Sequence, residues 1–120
     1  MAEDDLEMRA LVTGALRIDG FEVTEVGDGR DLRARTNESI YDLIVSDLRL
    51  PFGDGLEALE DLHARAPETQ MILMTAFADD SVRTRAATLD AVLMDKPFRL
   101  SELRAAARRL CKDAAPRGTP

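Results

Sequence analysis

Asp-Leu-Ile-Val-Ser-Asp-Leu-Arg-Leu-Pro, residues 42–51, is the stretch that decides the fold. Its apolar core, residues 43–45, is short and mostly β-branched, which is typical of a parallel strand that is covered by helices on both faces. Asp47 lies just past this core, after Ser46, and Pro51 opens a turn that carries two glycines. The stretch therefore predicts a buried strand that delivers a carboxylate to the edge of a sheet.

On either side of this stretch, the hydrophobic periodicity alternates between helix-like and strand-like segments that are joined by short polar turns. This alternation predicts an α/β protein with a parallel sheet. The helices are expected over residues 5–18 and 30–36, from Asp54 to near Pro67, from Asp79 or Asp80 to about Leu89, and over residues 100–110. The strands are expected over residues 21–26, 43–45, 71–74 and 91–94.

Composition limits the classes of function. The chain has 120 residues with a formal charge of −7, which argues against direct binding to nucleic acid. No apolar run is long enough to span a bilayer, and we expect a cytoplasmic protein without membrane contact. We assign residues 1–112 to one domain. Residues 113–120 carry two prolines and a glycine, which predicts a flexible tail or a linker stub.

Polar side chains collect at the ends of the predicted strands. Glu3 and Asp4 precede the first helix, Asp47 and Thr75 follow two strands, and Lys96 follows the last one. In open parallel sheets, ligands bind outside the carboxyl ends of the strands. Several carboxylates held close together repel one another unless a cation neutralises them, and oxygen-only ligands suit Mg²⁺. A hydroxyl and an ammonium group opposite them would suit an incoming phosphoryl group.

Three stretches in this order carry a specific resemblance to a known family: residues 42–51 followed by Gly55, residues 71–76, and Asp95-Lys96-Pro97-Phe98. From Glu3 to about Leu110, the chain resembles the receiver domains of bacterial response regulators. The resemblance implies a flavodoxin-like, doubly wound sheet of strand order 2-1-3-4-5. It also implies Mg²⁺-dependent transfer of a phosphoryl group from a sensor histidine kinase to the chain.

The resemblance assigns a role to each site residue. It implies that Asp47 is the phosphoacceptor and that Mg²⁺ is bound by Asp4, Asp47, Glu3 and the backbone carbonyl of Arg49. Thr75 and the backbone amide of Ala76 would contact the phosphoryl oxygens together with Lys96, and a cis peptide bond is expected before Pro97. The phosphorylated chain would switch an output surface formed by the fourth helix, last strand and fifth helix.

Two alternatives to this function are open. The chain could be a pseudo-receiver, an interaction module that works without phosphorylation. A Mg²⁺-dependent phosphatase is less favoured, because no second carboxylate lies two residues after Asp47 to act as its acid and base. In the preferred interpretation, the chain catalyses its own phosphorylation and dephosphorylation and is not a turnover enzyme. An output domain beyond the C-terminus is compatible with the sequence.

The chain departs from the family pattern at two places. Only Met1 and Ala2 precede Glu3, so the first strand is missing or vestigial. Three explanations are open: either the sequence begins too late, or the strand at residues 21–26 pairs directly with the strand at Leu43, or a partner lends a segment. In each case we expect altered packing at this edge and a tendency to form homodimers or segment swaps. The second departure is Leu93, where the family usually places an aromatic ring, so the movement of Thr75 needs a different outward coupling.

Overall fold

The computed structural model describes residues 1–111, so the predicted tail at 113–120 lies outside the described residues. Five helices alternate with three strands along this part of the chain. In chain order they are α1 (Leu6–Ile18), α2 (Gly29–Glu38), β1 (Leu43–Asp47), α3 (Gly55–Arg65), β2 (Gln70–Thr75), α4 (Asp80–Thr88), β3 (Val92–Asp95) and α5 (Leu100–Leu110).

The three strands form one parallel sheet in the order β1-β2-β3. Asp47 of β1 is opposite Met74 of β2, and Thr75 of β2 is opposite Asp95 of β3. All three strands consequently end at the same edge of the sheet, and their next residues lie side by side there.

Helices cover both faces of the sheet, which confirms the predicted doubly wound α/β class. On one face, α1 and α5 pack through Val12, Leu16 and Leu103 against Val45 and Ile72. On the other face, α2, α3 and α4 pack against alternate strand residues through Leu32, Leu56, Leu59, Leu62 and Ala86, together with Leu89 directly after α4. Neighbouring side chains along a strand point to opposite faces of the sheet. A strand that packs against helices on both faces is therefore apolar along its whole length.

Aspartates set the starts of four helices. Asp5, Asp28, Asp54 and Asp79 each accept hydrogen bonds from backbone amides in the first turn of α1, α2, α3 and α4. A carboxylate at this position satisfies an amide that has no partner within the helix. The sequence predicted the start of α3 at Asp54 and that of α4 at Asp79 or Asp80, and the structure places the caps at Asp54 and Asp79.

Residues 1–3 hold the interior position of the missing first strand. Ala2 forms parallel bridges to Val26 on one side and to Ser46 on the other. Its backbone amide donates to the Val45 carbonyl at 2.8 Å, and the amide of Asp47 donates to the Ala2 carbonyl at 2.8 Å. These bonds fix the backbone of Glu3 directly beside the end of β1.

The predicted strand at residues 21–26 is wrong as a strand. Within the described residues, this segment contributes only the single bridge at Val26, and Ala2 lies between it and β1, so it does not pair directly with the Leu43 strand. Most of the strand that would order it is absent from the sheet. A cavity of about 270 Å³ lies between residues 21–26 and β1.

Several helix and strand boundaries also differ from the expectation by one or two residues. Helix α2 is longer than predicted, because it begins at Gly29 beside its Asp28 cap and continues to Glu38. Strand β3 begins at Val92, one residue later than expected. The Lys96–Pro97 peptide bond is cis, as expected.

Candidate functional site

The predicted site residues lie at the carboxyl edge of the sheet. Asp47 is the last residue of β1, Thr75 is the last residue of β2, and Lys96 follows the end of β3. The backbone amide of Lys96 donates to the Thr75 carbonyl at 2.7 Å, which joins the ends of β2 and β3. Parallel pairing therefore gathers residues that are far apart in the chain.

Three carboxylates form the acidic part of the site. Oxygen atoms of Glu3, Asp4 and Asp47 all lie within 4.8 Å of one another. Glu3 is 1% exposed and Asp47 is 6% exposed, whereas Asp4 is open to solvent. A hard oxygen cluster that is buried on one side and open on the other fits Mg²⁺, which keeps several of its waters when it binds to proteins.

Lys96 is the cation that faces this cluster. Its Nζ donates to Glu3 Oε1 at 2.9 Å and forms a second ion pair with Asp47 Oδ2. Burial lowers the pKa of Lys96, but the hydrogen bonds to Asp47 and Glu3 outweigh burial and raise this pKa above its usual value. The ammonium group therefore stays charged at neutral pH.

For Glu3, the effect of burial on the pKa is larger than the effect of its hydrogen bonds. Burial raises the pKa of its carboxyl group above the usual value, while the hydrogen bonds from Lys96 and from the Asp5 backbone amide act to lower it. The nearby charge of Asp47 adds to the increase. Glu3 is thus a carboxylate whose charged form depends on a cation beside it.

Both carboxylate oxygens of Asp47 are engaged. Oδ2 pairs with Lys96, and Oδ1 accepts a hydrogen bond from the Arg49 backbone amide at 2.7 Å. The loop that supplies this amide packs on the start of α2, where the Gly29 amide donates to the Pro51 carbonyl at 2.9 Å. A Cβ at Gly29 would approach the backbone of Gly53 to 3.0 Å, so glycine permits this close contact.

Thr75 reaches the site edge, but its hydroxyl group bonds within its own turn. Oγ1 accepts from the Phe77 amide at 3.1 Å and donates to the Phe77 carbonyl at 3.1 Å. The structure thus brings Glu3, Asp4, Asp47 and Lys96 together and leaves the Thr75 hydroxyl engaged elsewhere. Ala76, the expected source of a backbone amide, is exposed in the loop that follows β2.

Sequence reasoning missed two residues that shape the site. Arg9 of α1 donates from a guanidinium nitrogen to the Glu3 carbonyl at 3.3 Å and lies 3.7 Å from Glu25, which ties the N-terminal segment to α1. The engagement of Thr75 by Phe77 was also missed. Threonine hydroxyl groups often bond to the backbone two residues later in a turn. The presence of Thr75 at the start of a loop therefore could have indicated this hydrogen bond.

The comparisons with known proteins agree with the geometry. Residues 1–108 match the family model described as the response regulator receiver domain. The chain belongs to the response regulator receiver family.

Curated relatives place this receiver domain in two-component signalling. It is 31% identical to the response regulator receiver protein CpdR of Brucella abortus, over 86% of this chain and 87% of that protein. It is 36% identical to the response regulator protein PmrA of Pseudomonas aeruginosa, over all of this chain but 55% of PmrA. The chain therefore spans about half the length of PmrA and nearly the whole of CpdR.

Solved receiver domains share the fold. The receiver domain of HemR from Leptospira biflexa superposes with a TM-score of 0.82 at 27% identity, over 91% of this chain and 89% of that one. The receiver domain of the Francisella response regulator 1452 superposes with a TM-score of 0.83 at 24% identity, over 95% of each chain. Within residues 1–111, no helix combines the length and the apolar character that a membrane crossing requires.

Proposed function

We propose that this receiver domain accepts a phosphoryl group on Asp47 and uses the resulting charge to switch an output surface. The observation that carries the proposal is the meeting of three carboxylates within 4.8 Å with a lysine that pairs with two of them. Phosphoryl transfer asks a protein mainly for in-line positioning and for charge neutralisation, so no separate general base is needed.

In the transfer step, an Asp47 carboxylate oxygen attacks the phosphorus of a partner's phosphohistidine. The P–O bond to Asp47 forms as the P–N bond breaks, and the leaving imidazole keeps the electron pair of that bond. Lys96 contacts Asp47 through Oδ2, so its ammonium group is placed to follow the negative charge onto the transferred phosphoryl oxygens. The Arg49 amide holds Oδ1 and thereby fixes the rotation of the carboxylate.

Glu3, Asp4 and Asp47 would hold Mg²⁺, with the Arg49 carbonyl as a backbone ligand. When bound, the ion supplies charge neutralisation for the carboxylates and the phosphoryl oxygens. The donor set supports this assignment, because it contains only oxygen and has one exposed side that is accessible to water and to the incoming group.

A sensor histidine kinase is the proposed phosphodonor. Water would later hydrolyse the aspartyl phosphate, so the chain would return to its starting state without turnover of an external substrate. The added charge of about −1.5 to −2 would bias a two-state arrangement of the surrounding loops. An output domain, whether covalent or separate, would then read the surface formed by α4, β3 and α5.

Incubation with acetyl phosphate and Mg²⁺, followed by intact mass measurement, tests the proposal. The expected result is an adduct of one phosphoryl group that disappears in Asp47→Asn and when Mg²⁺ is removed by a chelator. Asp54→Asn is the matched control, because Asp54 is a helix cap outside the acidic cluster and its replacement should leave the adduct intact.

The same experiment separates the alternatives. Absence of an adduct that depends on Asp47 would overturn the proposal and favour a pseudo-receiver that acts as an interaction module. Continuous release of phosphate from phosphate monoesters, with Asp47 required, would instead favour a phosphatase.

A further inference from the structure

Glu3 and Asp4 are two of the three acidic residues of the site, and a single peptide group joins them. The atoms of a peptide group lie close to one plane, so a contact that holds the Glu3 carbonyl oxygen also restricts the Cα atom of Asp4. On its N-terminal side, Glu3 is held by its amide, which donates to the Val26 carbonyl at 3.1 Å. The position of Asp4 therefore depends on what holds the Glu3 carbonyl.

Arg9 of α1 holds this carbonyl. Its Nη1 donates to the Glu3 carbonyl at 3.3 Å, and its Nε lies 3.7 Å from Glu25 Oε1. The two contacts use different nitrogens of one planar group, which a lysine with its single nitrogen does not reproduce. Glu25 thus orients the guanidinium group, and the guanidinium group is directed at the peptide group between Glu3 and Asp4.

Gly27 leaves the space that the guanidinium group occupies. A Cβ atom at this position would lie 2.7 Å from Arg9 Nη1, which is too close, whereas Cζ of Arg9 would be 3.9 Å away. Within the described residues, the glycines with positive φ are Gly20 and Gly53, so the backbone of Gly27 can accept alanine. The substitution Gly27→Ala would therefore displace the flexible end of one arginine without straining the backbone.

We propose that Arg9 is a positioning residue for the acidic cluster, and that Gly27 allows Arg9 to reach the Glu3 carbonyl. This inference rests on the proposed function, because the residues that Arg9 positions are the proposed Mg²⁺ ligands. Arg9 acts through the backbone of Glu3 and not as a ligand. It holds the exposed carboxylate of Asp4 close to the buried carboxylates of Glu3 and Asp47.

The direction of the change in Mg²⁺ affinity separates positioning from an effect of charge. Loss of a positive charge beside a cation site would by itself raise the affinity, since like charges repel. Loss of a group that orients a metal ligand lowers the affinity, typically by about tenfold or more. Arg9→Met should therefore weaken Mg²⁺ binding by about tenfold, and Gly27→Ala, which keeps the charge of Arg9, should weaken it as well.

Titration calorimetry with Mg²⁺, together with urea denaturation of the same samples, tests these expectations. Arg17→Met is the matched control, because Arg17 also lies on α1 and lies 3.6 Å from Glu25, but donates to the Val23 carbonyl instead of the Glu3 carbonyl. Its Mg²⁺ affinity should stay at the wild-type value. The denaturation curves identify any variant whose affinity falls because the fold is lost.

The double variant Arg9→Met/Gly27→Ala shows whether the two residues act together. Without the guanidinium group, an added Cβ at position 27 displaces nothing. The double variant should therefore bind Mg²⁺ as Arg9→Met does, with no further loss. Additive losses would overturn the proposal that Gly27 acts through Arg9.

A measurement without metal follows the position of Asp4 itself. The NMR order parameter of the Asp4 amide, recorded in the absence of Mg²⁺, should fall in Arg9→Met and in Gly27→Ala and stay unchanged in Arg17→Met. An unchanged or raised Mg²⁺ affinity in both Arg9→Met and Gly27→Ala would overturn the positioning role alone. Absence of Mg²⁺ binding by the wild type would overturn the proposed metal site and the positioning role together.

Discussion

At the scale of single residues, Lys96 and a bound cation would compete for the same carboxylates. Nζ of Lys96 contacts Glu3 and Asp47, two of the three proposed Mg²⁺ ligands. Opposite charges at such short distances stabilise each other, and a second cation must share or displace this interaction. The lysine therefore stabilises the acidic cluster in the absence of a cation and at the same time weakens the affinity of the cluster for metal.

The substitution Lys96→Gln should therefore raise the affinity for Mg²⁺, by about tenfold or ~1.4 kcal/mol, because the carboxylates lose their internal cation. Titration calorimetry with Mg²⁺ measures this change. Lys96→Arg keeps the positive charge and should stay near the wild-type affinity. An unchanged affinity in Lys96→Gln would show that the lysine does not compete with the ion.

A buried hydroxyl group on α1 provides a stability prediction. Thr13 Oγ1 is buried and has no hydrogen-bond partner among the described residues. Thr13→Val removes this unsatisfied group and should raise the free energy of unfolding by about 1 kcal/mol. Urea denaturation with an unchanged m-value would measure the gain.

Thr36 is the matched control for this substitution. It is equally buried, in α2, but its hydroxyl group donates to the Leu32 carbonyl at 2.9 Å. Thr36→Val should therefore lower the free energy of unfolding, by about 1 kcal/mol. Similar effects of the two substitutions would contradict the assignment of Thr13 as unsatisfied.

At the scale of elements, α1 and α5 are joined by a charged clamp on the face of the sheet that they share. Asp19, the C-terminal cap of α1, accepts bonds from Arg104 at 2.7 and 3.0 Å and from Arg108 at 3.2 Å. Arg104 is half-buried and Arg108 is exposed, so the clamp lies at the solvated face of α5. The pairing crosses between helices, so helical periodicity alone did not indicate it.

The clamp predicts a pH dependence of stability. Hydrogen bonds from Arg104, above all, hold the pKa of Asp19 below its usual value. A folded-state pKa below the unfolded value, about 3.9, contributes stability above that pH, and the contribution is lost as the pH falls further. The melting temperature of the wild type should exceed that of Asp19→Asn at neutral pH, and the difference should shrink below about pH 4.

Melting curves recorded from pH 7 to about pH 3 would check this prediction. Glu38→Gln, which changes an exposed carboxylate at the end of α2, serves as the control and should show little difference at any pH. A wild-type advantage over Asp19→Asn that stays constant through the acid range would contradict the clamp.

At the scale of the whole molecule, the gap beside β1 is the main departure from a complete sheet. Among residues 1–111, Ala2 provides the bridges that connect residue 26 to β1, and residues 21–26 and β1 line a cavity of about 270 Å³. Met1, Val23, Leu43 and Ile44 are among the residues that line this cavity. Strand edges with unpaired backbone groups and apolar surroundings are templates for pairing with another chain.

We therefore predict that the chain associates with itself as its concentration rises. Sedimentation velocity over a range of concentrations should show a growing fraction of dimers or larger species. Val23→Lys places a charge in the gap and should reduce this association, because a buried unpaired charge is costly. A single monomeric species at every concentration would contradict the prediction.

The sequence alone determined the class of fold and the membership of the site. Apolar runs of strand length, aspartate caps and amphipathic helices are local patterns, and the residues that end parallel strands must meet at one edge. For this reason Glu3, Asp4, Asp47 and Lys96 could be predicted together, although more than ninety residues of chain separate Glu3 from Lys96.

Only the tertiary structure decided how these groups are engaged. It showed that Lys96 bonds to Glu3 as well as to Asp47, that the Thr75 hydroxyl bonds to Phe77, and that Ala2 separates residues 21–26 from β1. A hydroxyl or an ammonium group has several partners within reach, and its choice depends on distances of a few tenths of an ångström. Such distances are set by packing between segments distant in the chain, which local pattern does not encode.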